Sequence, residues 1–458
     1  MSHDSAWVGD RNTKQEPDVL IVGAGMAGLA AACELARSGM SVSILEARDR
    51  IGGRVLTHWD PAFHAPIELG AEFIHGKPRE IWDLLHKAGV KITEVDGASW
   101  CASDSALSQC EDWEQVDSIL DQMDDSQPDE SFSAFLEHRL DPPRNDAERK
   151  IRQRALSYVS GFNAADPSLI GVHWLVKEMH SEEQAEGERA FRAQNGYDDL
   201  LNIFRKQLAE YSVPVHTETI VDSVKWRSGN VAVSASQQGG PAKFEARQIL
   251  ITLPVSVLQT PPGSQGAVCF MPDLPPEKIE ALQHLEMGKV IRVVLRFRER
   301  FWQNIRPSPG KDLSDMNFLF SQDEYFPTWW TAMPATIPLI TGWAPFLSAE
   351  RLSGQSREFV IERALRTLSK LLGMNFSQVE AWLEAAYFHD WQTDPFSRGA
   401  YSYGKVGANE AQQRLAAPVA RTLFFAGEAT DRTGNNGTVH GAIASGLRAA
   451  AEILVRRK

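Results

Sequence analysis

Glu46, Arg48, Arg50 and Arg54 crowd into the stretch ILEARDRIGGR (44–54), with two bare positions, Gly52 and Gly53, before the last arginine. A carboxylate can accept hydrogen bonds from both hydroxyls of a ribose, and guanidiniums neutralise phosphate. Adjacent glycines let another group approach the main chain. Upstream, Gly23, Gly25 and Gly28 stand in G-x-G-x-x-G spacing, and Glu46 follows Gly28 by 18 positions. These residue types at this spacing suit the pyrophosphate and ribose of a dinucleotide. An acid at the ribose repels a 2′-phosphate, which disfavours NADP.

Such groups act only if the elements around them hold still. DVLIV (18–22) reads as a buried parallel strand, LAAACELARSG as a helix stopping at Gly39, and MSVSILE as a second strand closing on Glu46. In this order the helix N-terminus offers N–H groups to a phosphate. Residues 77–210 read mostly as helix, 213–260 as strands, 287–299 as an alternating strand and 357–386 as helix again. ARTLFFAGEAT then reads as a strand running into a glycine turn, and GTVHGAIASGLRAAAEILVRR as a long helix. No internal repeat is visible. Only short polar patches look like linkers, so two domains should interleave rather than follow in line.

Composition excludes several classes. The 458 residues are 43% hydrophobic and 23% charged, with no apolar run of membrane-spanning length. The N-terminal stretch is polar and lacks a signal-peptide layout, which favours a cytoplasmic protein. Four cysteines make neither a disulfide framework nor a metal-ligand cluster; Cys101 and Cys110 would pair only if the fold brought them together. The net charge of −13 sits in one place: residues 92–138 hold 13 acids and no Lys or Arg. That stretch reads as a solvated face, or as an acidic field that draws in cations. Either reading disfavours nucleic acid.

The run VLIVGAGMAGLAAACELARSGMSVSILEARDRIGGRV resembles the N-terminus of the FAD-dependent amine oxidases, which include monoamine, polyamine and L-amino acid oxidases and lysine-specific histone demethylases. ELGAEFIHG (68–76), GYDDL (196–200), ILITLPVSVL (249–258), WQTDPFSRGAYSY (391–403) and LFFAGEATDRTGNNGTVHGAIASGLRAA (423–450) extend the resemblance in the family's order. Residues 92–190 and 300–385 carry little that matches. The resemblance implies that Gly23, Gly25 and Gly28 hold the FAD pyrophosphate, Glu46 the ribose, and Arg48 and Arg54 the phosphate charge. Gly53 lets the chain pass close to the cofactor. Gly70, Ala71 and Glu72 lie against the isoalloxazine, and Val221 touches adenine. Glu428 meets the ribityl chain or the phosphates. Met26, Ala27, Ala47, Trp391, Gly427 and Val439 complete the cofactor contacts. The last helix begins near Thr438, with its N-terminus towards the flavin N1/C2=O edge.

Three positions depart from the family. Ala400 stands where monoamine oxidases carry a flavin-bonded cysteine, so FAD should bind noncovalently. Tyr401 matches one wall of an aromatic amine-orienting cage, but the other wall falls near Thr438, which is not aromatic. Trp329 or Trp330 from another loop is a second ring, or both are core. Arg292 stands at the family's flavin-facing lysine. Lys289 is offset by three and belongs on the opposite strand face, or the match has slipped and Arg292 faces solvent. Arginine cannot act as a base, which puts fast reaction with O2 in doubt.

These readings predict an α/β protein: a Rossmann-like FAD-binding domain of the glutathione-reductase type (16–76, 212–262 and 404–458) interleaved with an α+β substrate-binding domain (77–211 and 263–403). Arg292, Tyr401 and His75 are the candidate catalytic residues. Glu72, Trp330 and Thr438 are the candidate substrate contacts, Glu72 as the partner of a substrate cation. His440 is expected to be structural. The implied reaction takes a primary or secondary amine to an imine, with hydride passing to FAD N5 and O2 then reduced to H2O2. Alternatives are a dehydrogenase with another acceptor, a protoporphyrinogen-oxidase- or desaturase-like enzyme, and a silent flavoprotein scaffold. The expected partners are a small amine and O2, with no metal, nucleic acid or membrane, in a monomer or homodimer.

Overall fold

The computed structural model describes residues 16–455 apart from 104–105, 111–112, 141–142 and 144. Its first layer is a parallel sheet in the order Val215–His216, Val42–Leu45, Val19–Val22, Gln248–Ile251, Leu423–Phe425. The central strands are buried on both faces, as unbroken apolar runs such as VLIV require. Helices Met26–Arg37 and Val439–Leu454 cover one face. There Gly446 is needed for close approach: a Cβ on it would lie 2.2 Å from the Ala27 carbonyl oxygen. An antiparallel meander, Ile220–Arg227, Asn230–Gln237 and Gly240–Ala246, covers the other. The sheet thus draws on N-terminal, middle and C-terminal segments, in a Rossmann-like α/β arrangement.

The second layer is a seven-stranded sheet in the order Leu383–Phe388, Val290–Phe297, Leu339–Pro345, Thr328–Thr331, Met316–Phe320, Ala98–Ser103, Ala106–Gln109. Several of these strands were not expected. FPTWWT is not a loop: Trp329 and Trp330 lie on the strand Thr328–Thr331. Period-two alternation separates them. Trp329 is fully buried in the core on one face, whereas Trp330 turns to the other face, where the cavity lies. Residues 357–386 are helical only to Trp382, and Leu383–Phe388 pairs with Val290–Phe297 as an edge strand. The 77–210 segment contains a hairpin, Ala98–Ser103 with Ala106–Gln109, in which Cys101 and Cys110 are disulfide-bonded. Among the described residues no helix is long and apolar enough to cross a membrane.

Candidate active site

One cavity of about 1680 Å³ runs from the glycine turn to the seven-stranded sheet. Every residue proposed from sequence as a site residue lines it except Gly28, which acts one step behind. A Cβ on Gly28 would sit 2.1 Å from the Gly23 carbonyl oxygen, so only glycine lets the helix start this close to the strand. At the tip of the strand Val42–Leu45 the buried Glu46 carboxylate accepts from Ala24 N (2.7 Å) and Arg48 N (2.9 Å). Ala47, Met26 and Ala27 border the same end, and Val221 closes it from the meander strand, just before a bulge.

The two arginines expected to neutralise phosphate already carry protein counter-charges. Arg48 forks onto Asp394 (2.8 and 3.3 Å) and donates to Ser397 Oγ. Burial works against the Asp394 charge, but His389 and Arg48 hold that carboxyl well below its usual range. Arg54 donates to Glu428 (2.9 Å) and to the Ala400 carbonyl (2.8 Å). Glu428, 5% exposed, also accepts from Ser402 Oγ and Gly437 N. Trp391 donates to the Leu69 carbonyl, and Gly427, at φ 132°, also lines the cavity. The attraction left for an anion is that of the Met26–Arg37 helix N-terminus and its N–H groups. The glycine turn, the close approach of Gly53 to Gly25 (a Cβ on Gly53 would lie 3.1 Å from the Gly25 Cα), and Glu46 at the strand tip fit a dinucleotide. Gly70 and Ala71 then border the chamber beyond it.

The chamber floor follows from strand register. Arg292, Trp343, Thr328 and Phe320 lie opposite one another across four strands on one face, with Trp330 and Phe318 in the next row. Arg292 is therefore not solvent-facing. It is 4% exposed, while Lys289 lies outside the strand and pairs with Glu350. Arg292 donates to Glu72 and to the Gly70 carbonyl (2.7 Å), beneath the Trp330 ring. This corrects the reading of Glu72 as a free partner for a substrate cation. Its other oxygen accepts from Arg192 Nε (2.7 Å), and Trp330 Nε1 adds a third donor. Burial opposes that charge, but Arg292 and Arg192 outweigh it and keep Glu72 ionised. The three charged groups sum to one surplus cation.

Tyr401 stands across the chamber, its hydroxyl donating to the Phe162 carbonyl (2.5 Å). Gly437, at φ 71°, packs against the ring; a Cβ there would lie 3.3 Å from it. Thr438 lines the cavity, but its hydroxyl caps the last helix: it accepts from Gly441 N (2.9 Å) and donates to Asn435 O (2.6 Å). Val439 follows it in the lining. His75 packs on Phe73 and Phe162, and burial drops its pKa to about 4, so it is neutral at neutral pH. His440 bonds Asn435 Oδ1 (3.0 Å).

Sequence reasoning missed Glu178 and Glu182, on the helix Val172–Gln184. Glu178 accepts from Trp174 Nε1 (2.9 Å), Asn163 Nδ2 (2.6 Å) and Asn436 Nδ2. It so ties the segment bonded to Tyr401 to the segment packed on its ring. An acid four residues after a tryptophan on an apolar helix face was the available signal.

A mostly parallel cradle opening onto an aromatic chamber defines a dinucleotide-dependent oxidoreductase type of architecture. The sequence profile of the flavin-containing amine oxidoreductases matches residues 26–101 and 102–454, and the chain belongs to that family. Among its relatives, lysine-specific histone demethylase 1 homolog 2 of Arabidopsis thaliana is 30% identical over 96% of this chain and 58% of its own length. Polyamine oxidase 5 of Oryza sativa subsp. japonica is 27% identical over 97% of this chain and 89% of its own. The fold matches putrescine oxidase (TM-score 0.79, 22% identity, 96% and 100% of the two chains). It also matches cyclohexylamine oxidase from Brevibacterium oxydans IH-35A (TM-score 0.76, 20% identity, 97% and 100%). The expected family and fold class hold, and a flavin cofactor comes with the family.

Proposed function

We propose that the chain binds FAD noncovalently and oxidises a small primary or secondary amine to the imine, with O2 as the acceptor. The observation that carries this is the single cavity joining the Glu46 cradle to the chamber of Tyr401, Trp330 and Arg292. FAD, when bound, supplies a two-electron acceptor. The protein's part is to bind and orient. Gly23, Gly25 and Glu46 hold the dinucleotide half. Ala400 offers no nucleophile for a covalent link. The cofactor domain comprises 16–76, 212–262 and 404–458, and the substrate domain 77–211 and 263–403. Tyr401 and Trp330 give the amine aromatic faces, and the surrounding rings exclude water. His75 stays neutral and adds no charge to repel an arriving ammonium. Arg292, clamped by Glu72 and the Gly70 carbonyl, keeps its proton and acts as a fixed charge. The protein works in the cytoplasm.

Arg292 favours one second reading: the same amine chemistry with an acceptor other than O2. An anaerobic titration of the flavin-loaded protein with putrescine, benzylamine and an L-amino acid tests both. Bleaching of the flavin's visible band by an amine and fast recovery in air is expected. Bleaching with recovery only on adding a quinone would move the assignment to a dehydrogenase. No bleaching by any of the three would overturn the amine reading.

A further inference from the structure

Arg192 is a cation that the amine reaction leaves without a task. It lies on the strand Ala190–Ala193 and is not among the described residues that line the cavity. All three of its guanidinium nitrogens are engaged. Nε donates to Glu72 Oε1 (2.7 Å), and the other two donate to the carbonyls of Met333 (2.8 Å) and Thr331 (3.1 Å). Its Cζ sits 4.6 Å from the centroid of the Phe73 ring. Arg192 is thus held behind Glu72 and takes one of its oxygens. The other oxygen is left to Arg292 and Trp330 Nε1. A carboxylate alone with Arg292 would fork onto it and cancel its charge. Shared between two arginines, it cannot cancel both. Glu68 does not restore the balance, because burial raises its pKa to about 8 and favours its neutral form. Arg292 carries the surplus into the chamber, where it lines the cavity and donates to the Gly70 carbonyl.

We propose that Arg192 is a positioning residue for electron uptake by the flavin: by holding one oxygen of Glu72 it keeps a net positive charge on the chamber floor, and that charge favours the reduced cofactor. The proposal rests on the flavin ring lying against Gly70 and Ala71, and goes beyond it by giving a role to a residue outside the cavity lining. A flavin gains negative charge on reduction, so a fixed cation nearby stabilises the reduced form over the oxidised one.

The test is the midpoint potential of the flavin-loaded protein, measured by reductive titration against redox dyes at neutral pH with no amine present. Arg192→Gln removes the surplus charge. It should shift the potential to more negative values by about 30 mV or more, about a tenfold change in a two-electron equilibrium. Glu72→Gln enlarges the surplus and should shift the potential the other way. The double variant, Arg192→Gln with Glu72→Gln, again leaves one cation on the floor and should return close to the parent. Arg192→Lys keeps the charge and should also stay close to the parent. A merely structural role gives shifts of one sign that accumulate in the double variant, with no rescue by lysine. That pattern, or a potential unmoved by Arg192→Gln, would overturn the proposal. Should Arg192→Gln fail to fold alone, adding it to Glu72→Gln carries the same test, since the potential should then fall. Bleaching by amines is read separately. A potential that follows the charge, with no bleaching by any amine, overturns the reaction and keeps the role of Arg192. Bleaching with a potential that ignores the charge does the reverse.

Discussion

In the glycine-rich half of the cavity Arg48, Arg54 and Glu46 each find a partner within the protein. Arg48 has Asp394, Arg54 has Glu428, and Glu46 has two backbone amides. In the half bounded by the seven-stranded sheet and the helix Val172–Gln184, the balance is left open. Two arginines share one carboxylate at Glu72, and among the described residues Glu182 lines the cavity with burial, not a counter-charge, setting its pKa. The difference separates a part that is electrostatically complete from a part that a ligand completes. A cofactor cradle can be neutral and still bind, because its attraction comes from backbone amides and a helix end. A substrate chamber needs unmatched groups, since discrimination depends on what the ligand supplies.

The comparison breaks most visibly at the clamp. Glu72→Ala would leave Arg192 and Arg292 buried together without a counter-charge. A loss of about 3–5 kcal/mol in unfolding free energy is expected, because breaking a buried ion pair strands its partner. Chemical denaturation measures it. A loss below about 1 kcal/mol, as for an exposed pair, would show that the clamp is solvated and that the surplus charge does not exist.

Glu428→Ala should cost less. Arg54 keeps the Ala400 carbonyl and is partly exposed (24%), so about 1–3 kcal/mol is expected, the range for removing one buried hydrogen-bonding partner. The readout specific to the cradle is flavin retention on gel filtration, which should fall because Gly437 N and Ser402 also lose their acceptor. Unchanged retention would mean that the Arg54–Glu428 pair braces the fold without shaping the cofactor site.

The same comparison explains what was legible in the sequence. The cradle is written in local order: three glycines, a strand and Glu46 lie within one contiguous segment, so spacing alone reveals them. Its counter-charge Asp394 was invisible, because it lies 346 residues from Arg48. Arg292 was placed by the resemblance, and strand register shows it on the chamber floor; Lys289 does lie elsewhere, but because it precedes the strand, not because alternation turns it to the opposite face. Trp329 and Trp330 needed the sheet itself, since an adjacent pair divides between core and cavity only once a strand is known to run there. Glu178, Glu182 and Asn163 lie in regions that lack a local motif. Asn436 lies inside the run 423–450 that carried the resemblance, but its bond to Glu178, 258 residues away in the chain, exists only after folding. Cys101 and Cys110 meet across a hairpin inside a stretch that read as helical.

A pH dependence compares a structural acid with one that lines the chamber. Glu68 is buried under Gly196 and bonded to Thr57 Oγ1 (2.9 Å) and Tyr197 N (2.6 Å). Burial raises its pKa to about 8. A hydroxyl partner serves the neutral acid as well as the carboxylate, so Glu68 can stay protonated at neutral pH. A carboxyl whose folded pKa lies above its unfolded value binds its proton more tightly when folded. Its contribution to stability is therefore fully present below the unfolded pKa. It is lost as pH rises from there through about 8, at up to about 1.4 kcal/mol per pH unit. Glu68→Gln keeps the shape and removes the proton. Melting temperature measured from pH 5 to 8 should fall less steeply in this variant than in the parent. Glu182→Gln should flatten the same profile by a smaller amount, because burial raises the Glu182 pKa only to about 7. If Glu182→Gln leaves the parent's profile unchanged while Glu68→Gln flattens it, Glu182 is solvated in the folded protein, and the contrast between the two halves fails at that residue.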